Sequence, residues 1–412
     1  MSNPYRFKTI NGWNTLFIPK PGAQTFNIRA VVNAGSTRET TPEHFGVAHF
    51  LEHMFFKGTE TRDYTEINRK FAELGDVNAY TSRERTVFHL TSLPRKDKEA
   101  AEIFFDLFFR ARMPDEEIEK ERSVITEELQ TSEDNPISWA MKRIGWDTWG
   151  QAAHPVIGTP ESVSQLGIED MWAFRKRWYT PENTLFAITG DLPESRVDEL
   201  FSSSIVPAAP QAAGPTTVEP VCEFKTEHFQ IDNPKSKQSL LLMIFPSVSD
   251  LEMRALRFGP DLATNLIGGG MHSVLFEHIR ENLGLCYSIW MQYQTFCGSG
   301  YHSIFTLLDR SNVKTAYDAS LAAIETLTRS IPDDLLEISR SNLLFDYSRS
   351  LETASGTAHI ADSYFDMNRQ LVPFQEYQDG IQSITKEEIR DFIGRYLFKP
   401  KVAVMNADLP FN

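Results

Sequence analysis

His49-Phe50-Leu51-Glu52-His53 places two imidazoles and a carboxylate within five residues, inside a stretch that reads as a helix. Pro42 suits a first helical turn. Phe45, Val47, Ala48, Phe50, Leu51, Met54, Phe55 and Phe56 spread apolar surface around nearly the whole circumference, which predicts a helix buried on most sides. A helix advances about 100° per residue, so His49 and His53 fall one turn apart on one face. That is the spacing at which two rings reach one metal. Glu52 stands at the edge of the same face, where a base working on a metal-bound water would stand. A lone buried histidine is usually satisfied by its core neighbours. Three polar side chains on one side of an apolar helix each need a partner, because an unpaired buried polar group costs about 1–3 kcal/mol.

A catalytic zinc site takes three protein ligands and leaves one position open. The helix expected over Glu117–Glu133 offers Glu121, Glu127 and Glu128. With Glu121 at zero on the wheel, Val124 falls at about −60°, Glu128 at about −20°, Ile125 at about +40°, Leu129 at about +80° and Glu127 at about −120°. Glu121 and Glu128 therefore lie in the middle of an apolar stripe, and Glu127 belongs to solvent. A metal, a hydrogen-bond network, or an ion pair with an arginine or lysine of another helix accounts for the two inward carboxylates.

The chain has 412 residues, 41% of them hydrophobic, a net charge of −15 and a pI of about 5.2. That length supports two or more cores. The acidic balance, without a basic stripe, argues against nucleic acid as a partner. No apolar run approaches membrane-spanning length, and Leu240–Phe245 is among the longest. Cys222, Cys286 and Cys297 are odd in number and irregular in spacing, which argues against a disulfide framework or a thiolate zinc site and fits a reducing compartment. Met1–Arg6 carries neither an apolar signal region nor an Arg/Ser-rich presequence, so the expected location is cytoplasmic.

Outward from the opening helix, Arg6–Pro19 reads as a hairpin about Asn11-Gly12. Strands are expected at Phe26–Asn33, Val77–Ser82, Thr86–Leu90 and Thr184–Thr189. Helices are expected at Tyr64–Leu74, Lys96–Arg112, from Pro114 through Leu129, and at Pro136–Trp149, Ile168–Trp178 and Pro193–Phe201. Residues 207–220, with four prolines and little charge, read as a linker. Beyond it the order repeats weakly. Strands are expected at Glu223–Ile231, Ser239–Phe245, Tyr287–Phe296, Gly300–Leu308 and Val402–Asn406, with helices at Glu252–Ile267, His272–Glu281, Val313–Ser330, Pro332–Thr353 and Lys386–Tyr396. The reading is α+β: two homologous halves, 1–206 and 221–412, each a mostly antiparallel sheet covered by helices, the second without H-x-x-E-H.

His49–His53 followed after a long gap by Glu121-Arg-Ser-Val-Ile-Thr-Glu-Glu128 resembles the pitrilysin/insulysin family of inverted-motif zinc peptidases. Gly75-Asp-Val-Asn78-Ala79-Tyr-Thr-Ser, Gly268-Gly-Gly-Met-His-Ser-Val-Leu-Phe and Arg280-Glu-Asn-Leu-Gly-Leu-Cys-Tyr287-Ser match as well. Length and two-halved layout are similar to the mitochondrial processing peptidase subunits and their bacterial relatives. The resemblance implies one zinc ion per chain, held by His49, His53 and Glu128, with Glu52 as general base on zinc-bound water and Glu121 supporting. It implies that Asn78 and Ala79 lie on the strand that pairs with the substrate backbone, and that Arg280 and Tyr287 reach the substrate and the oxyanion. It further implies a clamshell of the two halves, peptide substrates, and pairing of two chains, as a homodimer or with a related chain. Gly75 stands alone where many relatives carry a longer glycine-rich turn, which leaves the shape of that loop open. A non-catalytic peptide-binding or assembly subunit is the alternative, since some relatives keep the fold and lose the motif.

Overall fold

The computed structural model describes residues 4–202, 205–209, 225, 227–248, 258–296, 298–365 and 369–411. The chain forms two compact units. The first comprises Met1–Asp134, Gln151–Pro220 and Ser350–Pro373; the second comprises Asn135–Gly150, Val221–Arg349 and Phe374–Asn412.

In the first unit, β1 (Arg6–Ile10) and β2 (Trp13–Pro19) form the expected hairpin. Asn11 and Gly12 turn it at φ of 50° and 85°, the left-handed pair that a two-residue hairpin loop favours. With β3 (Phe26–Val32), β4 (Gly75–Thr81), β5 (Thr86–Ser92) and β6 (Thr184–Gly190), the sheet order is β1-β2-β6-β3-β5-β4. Only β2 and β6 run parallel. Successive strand residues face opposite sides. Phe26, Ile28, Ala30 and Val32 of β3 join Phe186 and Ile188 of β6 in the main core. That core also takes residues from α1 (Val47–Phe55), α2 (Tyr64–Leu74), α3 (Asp97–Arg110) and α4 (Asp115–Asp134).

The intervening positions face a second layer. Leu16, Ile18, Val31, Val87, Leu185 and Ala187 pack with Ala361, Tyr364 and Leu371, which come from the C-terminal half of the sequence. Two-sided cover explains why all seven residues of β3 and of β6 are buried, and why Leu185–Ile188 of β6 read as a continuous apolar run, while β3 carries Asn27 and Arg29 among its apolar positions. Arg29 of β3 points into this layer. It meets Asp362 at 2.5 Å, and Tyr80 of β4 donates to the same carboxylate oxygen at 2.5 Å.

In the second unit, β7 (Phe229–Ile231), β8 (Ser239–Ser247), β9 (Cys286–Phe296), β10 (Ser299–Leu308) and β11 (Lys401–Met405) form a sheet ordered β7-β11-β8-β10-β9. Only β7 and β11 run parallel. This is the order β2-β6-β3-β5-β4 over again, with the parallel pair in the same place, so the α+β duplication is present in the topology. The helix α5 (Pro136–Trp149) belongs to this unit: Lys225 N–H donates to the Thr148 carbonyl at 2.9 Å, and the Trp149 and Tyr301 rings lie 4.7 Å apart.

Several expectations differ from the structure. Each expected half gives up one segment, 135–150 and 350–373, to the unit built mainly from the other. Pro42–His44 is a separate 3-10 turn, and α1 begins only at Val47, because Gly46 interposes a left-handed residue at φ 90°. The helix expected at Glu252–Ile267 is seen as Gly259–Gly268, and 252–257 lie outside the described residues. So do 210–220 of the expected linker, the start of the Glu223–Ile231 strand, Cys222 and Cys297. The expected helix His272–Glu281 is a π-helical segment, Phe276–Asn282.

Burial alone would raise the Asp362 carboxyl, but hydrogen bonds from His359, Arg29 and Tyr80 hold it below its ordinary value. The native state therefore binds fewer protons than the unfolded one. The resulting stability is present above the ordinary carboxylate pKa and is lost as pH falls through the depressed native value. Asp362→Asn leaves Arg29 buried without its counter-charge and should cost about 3–5 kcal/mol at neutral pH. Urea unfolding at pH 7 and at about pH 3 should show the gap between variant and wild type closing in acid; an undiminished gap would contradict this.

Candidate metal centre and active site

Helix α1 buries Val47, Ala48, Phe50, Leu51, Met54 and Phe55, and this fixes which way its polar face looks. His49 and His53 project from the remaining face with ring centroids 4.7 Å apart. Opposite them lies α4, anchored by buried Ile118, Ile125 and Leu129. Glu128 Oε2 stands 3.8 Å from His49 Nε2 and 3.8 Å from His53 Nε2. The three ligand atoms all lie within 4.8 Å of one another. Ligand atoms of a tetrahedral zinc with bonds of about 2.0–2.2 Å sit roughly 3.4 Å apart. Two imidazole nitrogens and one carboxylate oxygen at this spacing fit a zinc ion.

Burial keeps the His49 imidazole ready to bind. Burial, reinforced by His53, lowers the His49 pKa to about 3, so its ring is neutral. Its Nδ1 is buried with no hydrogen-bond partner among the described residues. His53 Nδ1 lies 3.1 Å from Glu121 Oε2. A carboxylate there accepts from Nδ1–H and leaves the Nε2 lone pair for a metal. Lys57 pairs with the other Glu121 oxygen and lies 4.8 Å from the Tyr64 ring centroid. Glu121 is thus the buried ion pair that the sequence left open as an alternative, and it also orients one histidine.

Glu52 is buried, and its Oε2 accepts from the Thr81 hydroxyl at 2.6 Å. Burial raises its pKa, against the opposing Thr81 hydrogen bond and His53. Thr81 ends β4, the last strand of its sheet among the described residues. Ser82 N–H donates inward to the Arg85 carbonyl, so on the alternation of an antiparallel pair the N–H of Ala79 points outward. It is met at 2.8 Å by Oδ1 of Asn78.

Glu128 corrects the wheel. It does not lie in mid-stripe: its side chain is 51% exposed, and Val124 beside it is exposed too. Burial on α4 centres on Ile125, and Glu128 sits at the exposed edge of the stripe. Arg280 and Tyr287 belong to the second unit. They lie together, the Arg280 guanidinium 5.2 Å from the Tyr287 ring centroid, and Tyr287 is 84% exposed. Sequence reasoning missed Lys57, Thr81 and the pair Glu39–His154 beneath α1. Lys57 continues the line of His49 and His53 at four-residue steps, and Thr81 shares its strand face with Ala79. Those two signals were available.

The sequence models of two parts of one family match this chain: "Insulinase (Peptidase family M16)" over residues 15–159 and "Peptidase M16 inactive domain" over residues 165–343. The chain belongs to this family of peptidases, in its short-chain branch. It is 28% identical over 357 residues to a Bacillus subtilis protein named uncharacterized zinc protease YmxG, covering 85% of each chain. It is 24% identical over 403 residues to the mitochondrial-processing peptidase subunit beta of Bos taurus, covering 93% of this chain and 80% of that one. Among solved structures, the peptidase M16 inactive domain from Pseudomonas fluorescens superposes with a TM-score of 0.86 at 20% identity over 98% of each chain. A protease from Helicobacter pylori does so at 0.86 and 17% identity, over 97% of this chain and 98% of that one. These two likenesses are of fold.

Lys57→Met removes the cation beside buried Glu121 and should loosen the carboxylate that orients His53. Zinc affinity, measured by competition with a chelator, should fall about tenfold, the low end for loss of an outer partner. Unchanged affinity would show that Lys57 does not support the site.

Proposed function

We propose that this chain is a zinc metallo-endopeptidase that hydrolyses peptides or unfolded segments, with Glu52 as general base. The observation that carries the reading is the convergence of His49 Nε2, His53 Nε2 and a Glu128 oxygen within 4.8 Å on the helix face that also holds Glu52. A zinc ion held by these three residues would supply a Lewis acid that polarises the scissile carbonyl and acidifies water. Glu52 takes the proton of the attacking water and returns it to the leaving amine. Thr81 fixes one carboxylate oxygen and so aims the base. An extended peptide adds beside β4, meeting the outward N–H of Ala79, and Asn78 turns aside to release it. Arg280 and Tyr287 are the proposed oxyanion partners. Their support here is that the guanidinium and the ring share one exposed patch, with an order of about 3 kcal/mol expected for one such donor.

Zinc-protease names among the relatives support the metal and the reaction class. The word "inactive" attaches to residues 165–343, which lack H-x-x-E-H, and not to the segment carrying Glu52. Pairing into a homodimer and work in the cytoplasm are part of the same proposal; the odd number and irregular spacing of Cys222, Cys286 and Cys297 support the second.

Two outcomes follow. Glu52→Gln should keep zinc and lower kcat about 10²–10⁴-fold, the usual contribution of a general base. The assay is cleavage of a fluorogenic peptide library by the purified chain, with and without chelator, on protein whose solution mass is known. A zinc-loaded Glu52→Gln protein with wild-type turnover would end the peptidase mechanism, and an active monomer would end the dimer. Ala79→Pro removes the outward donor on an edge strand that tolerates proline. It should raise KM about five- to tenfold, the loss of about one hydrogen bond, with kcat changed less. An unaltered KM would mean that the peptide does not add at β4.

A further inference from the structure

We propose that Glu39 and His154 form a buried latch that positions the N-terminal end of α1, and through it sets the metal affinity of His49 and His53. The inference rests on the metal reading above.

Helix α1 has no side-chain cap of its own, since Gly46 holds the N-cap position. The first N–H groups of a helix need acceptors. Here Glu39 supplies both: Oε2 accepts from Gly46 N at 2.8 Å and Oε1 from Ala48 N at 2.9 Å. Ala48 is the residue before the first ligand histidine. His154 Nε2 approaches Glu39 Oε2 at 2.7 Å, and both side chains are removed from solvent. His154 Nδ1 lies 2.8 Å from the Gln151 carbonyl oxygen. A carbonyl only accepts, so Nδ1 carries a hydrogen, and the remaining proton lies between Nε2 and Oε2. The Phe45 ring lies flat on the imidazole, centroids 3.7 Å apart and planes 9° apart. The two backbones cross at glycines: a Cβ on Gly46 would meet the Ile157 oxygen at 2.6 Å, and one on Gly158 the Phe45 oxygen at 2.5 Å.

An exposed Ser or Asp would cap this helix without burying a charge. Burying an acid and an imidazole carries a desolvation penalty and suits definition of geometry better than net stability. What the pair defines is where α1 begins and how it is turned about its axis. The other end of α1 is tied through His53 and Lys57 to Glu121 of α4. The two ligand histidines sit between these pins, and the 3.8 Å approaches to Glu128 depend on both.

The test compares wild type with Glu39→Gln, His154→Gln and His154→Ala. Zinc affinity is read by chelator competition, the site by the absorption of bound Co²⁺, and turnover as separate kcat and KM. Glu39→Gln and His154→Ala should weaken zinc binding tenfold or more, shift the Co²⁺ bands and lower kcat with KM within twofold. His154→Gln, whose amide can still donate to Glu39, should recover most of the affinity. The second measurement uses wild type alone. Coupling is reciprocal, so stripping zinc should speed hydrogen exchange at the Gly46 and Ala48 amides about tenfold. Folded variants with wild-type zinc affinity overturn the latch. Should the variants not fold, Gly46 and Ala48 exchange that ignores zinc overturns it. Wild type that binds no zinc at His49, His53 and Glu128 overturns the metal reading, and the latch with it.

Discussion

Helix α1 carries two imidazoles and a carboxylate into an apolar core, and each must be satisfied there. That requirement organises the first unit. Glu52 is met by Thr81 at the end of β4, His53 by Glu121, and Glu128 stands between both rings. None of these partners is available unless α4 lies against α1 and β4 lies beneath it. The apolar residues of α4 that achieve this, Ile118, Ile125 and Leu129, bracket buried Glu121. A carboxylate in such a stripe costs several kcal/mol if left alone. Lys57, arriving from the end of α1, removes that cost. The fold and the site are thus one constraint viewed from two sides.

What was legible in the sequence was local and periodic. The i, i+4 histidines, the hairpin at Asn11-Gly12 and the order of strands and helices all follow from spacing. The wheel chose Glu121 and Glu128 over Glu127 but set the centre of burial about 40° away from where it lies, at Ile125. A wheel gives relative angles; the phase comes from what the helix packs on, and that is tertiary. The Glu39–His154 pair spans 115 residues and had no local signal at all. The exchange of segments was illegible for a related reason. Helical periodicity in α5 says that one face is apolar, not which sheet will cover it. One hint does lie in β6, where Leu185–Ile188 are apolar at successive positions, which already requires cover on both faces.

The duplication shows the same frame carrying a different set of polar contacts. The helix Gly259–Gly268 follows β8 as α1 follows β3, and it buries Leu262, Ala263, Leu266 and Ile267 against its sheet. Among its inward polar residues is Asn265. That amide oxygen meets His272 Nε2 at 2.9 Å, and Asn342 lies 3.1 Å from the other ring nitrogen. Asn265, His272 and Asn342 meet one another in neutral hydrogen bonds, where the first unit brings His49, His53 and Glu128 together.

Strand β4 joins these arguments. Its residues alternate between the two faces of the sheet, so Thr81 reaches Glu52 on α1 while Tyr80, next to it, reaches Asp362 in the segment supplied by the C-terminal half. The strand proposed to receive a peptide is therefore fixed from both sides by hydroxyl–carboxylate bonds. One bond ties it to Glu52, the proposed base. The other ties it, through Asp362 and Arg29, to the centre of the sheet at β3. A base acts only on a substrate held at a set distance from it. Under the proposed mechanism, pinning the edge strand to Glu52 on one face and to β3 on the other would hold that distance. It also gives a physical reason for residues 350–373 to complete the first unit rather than the second.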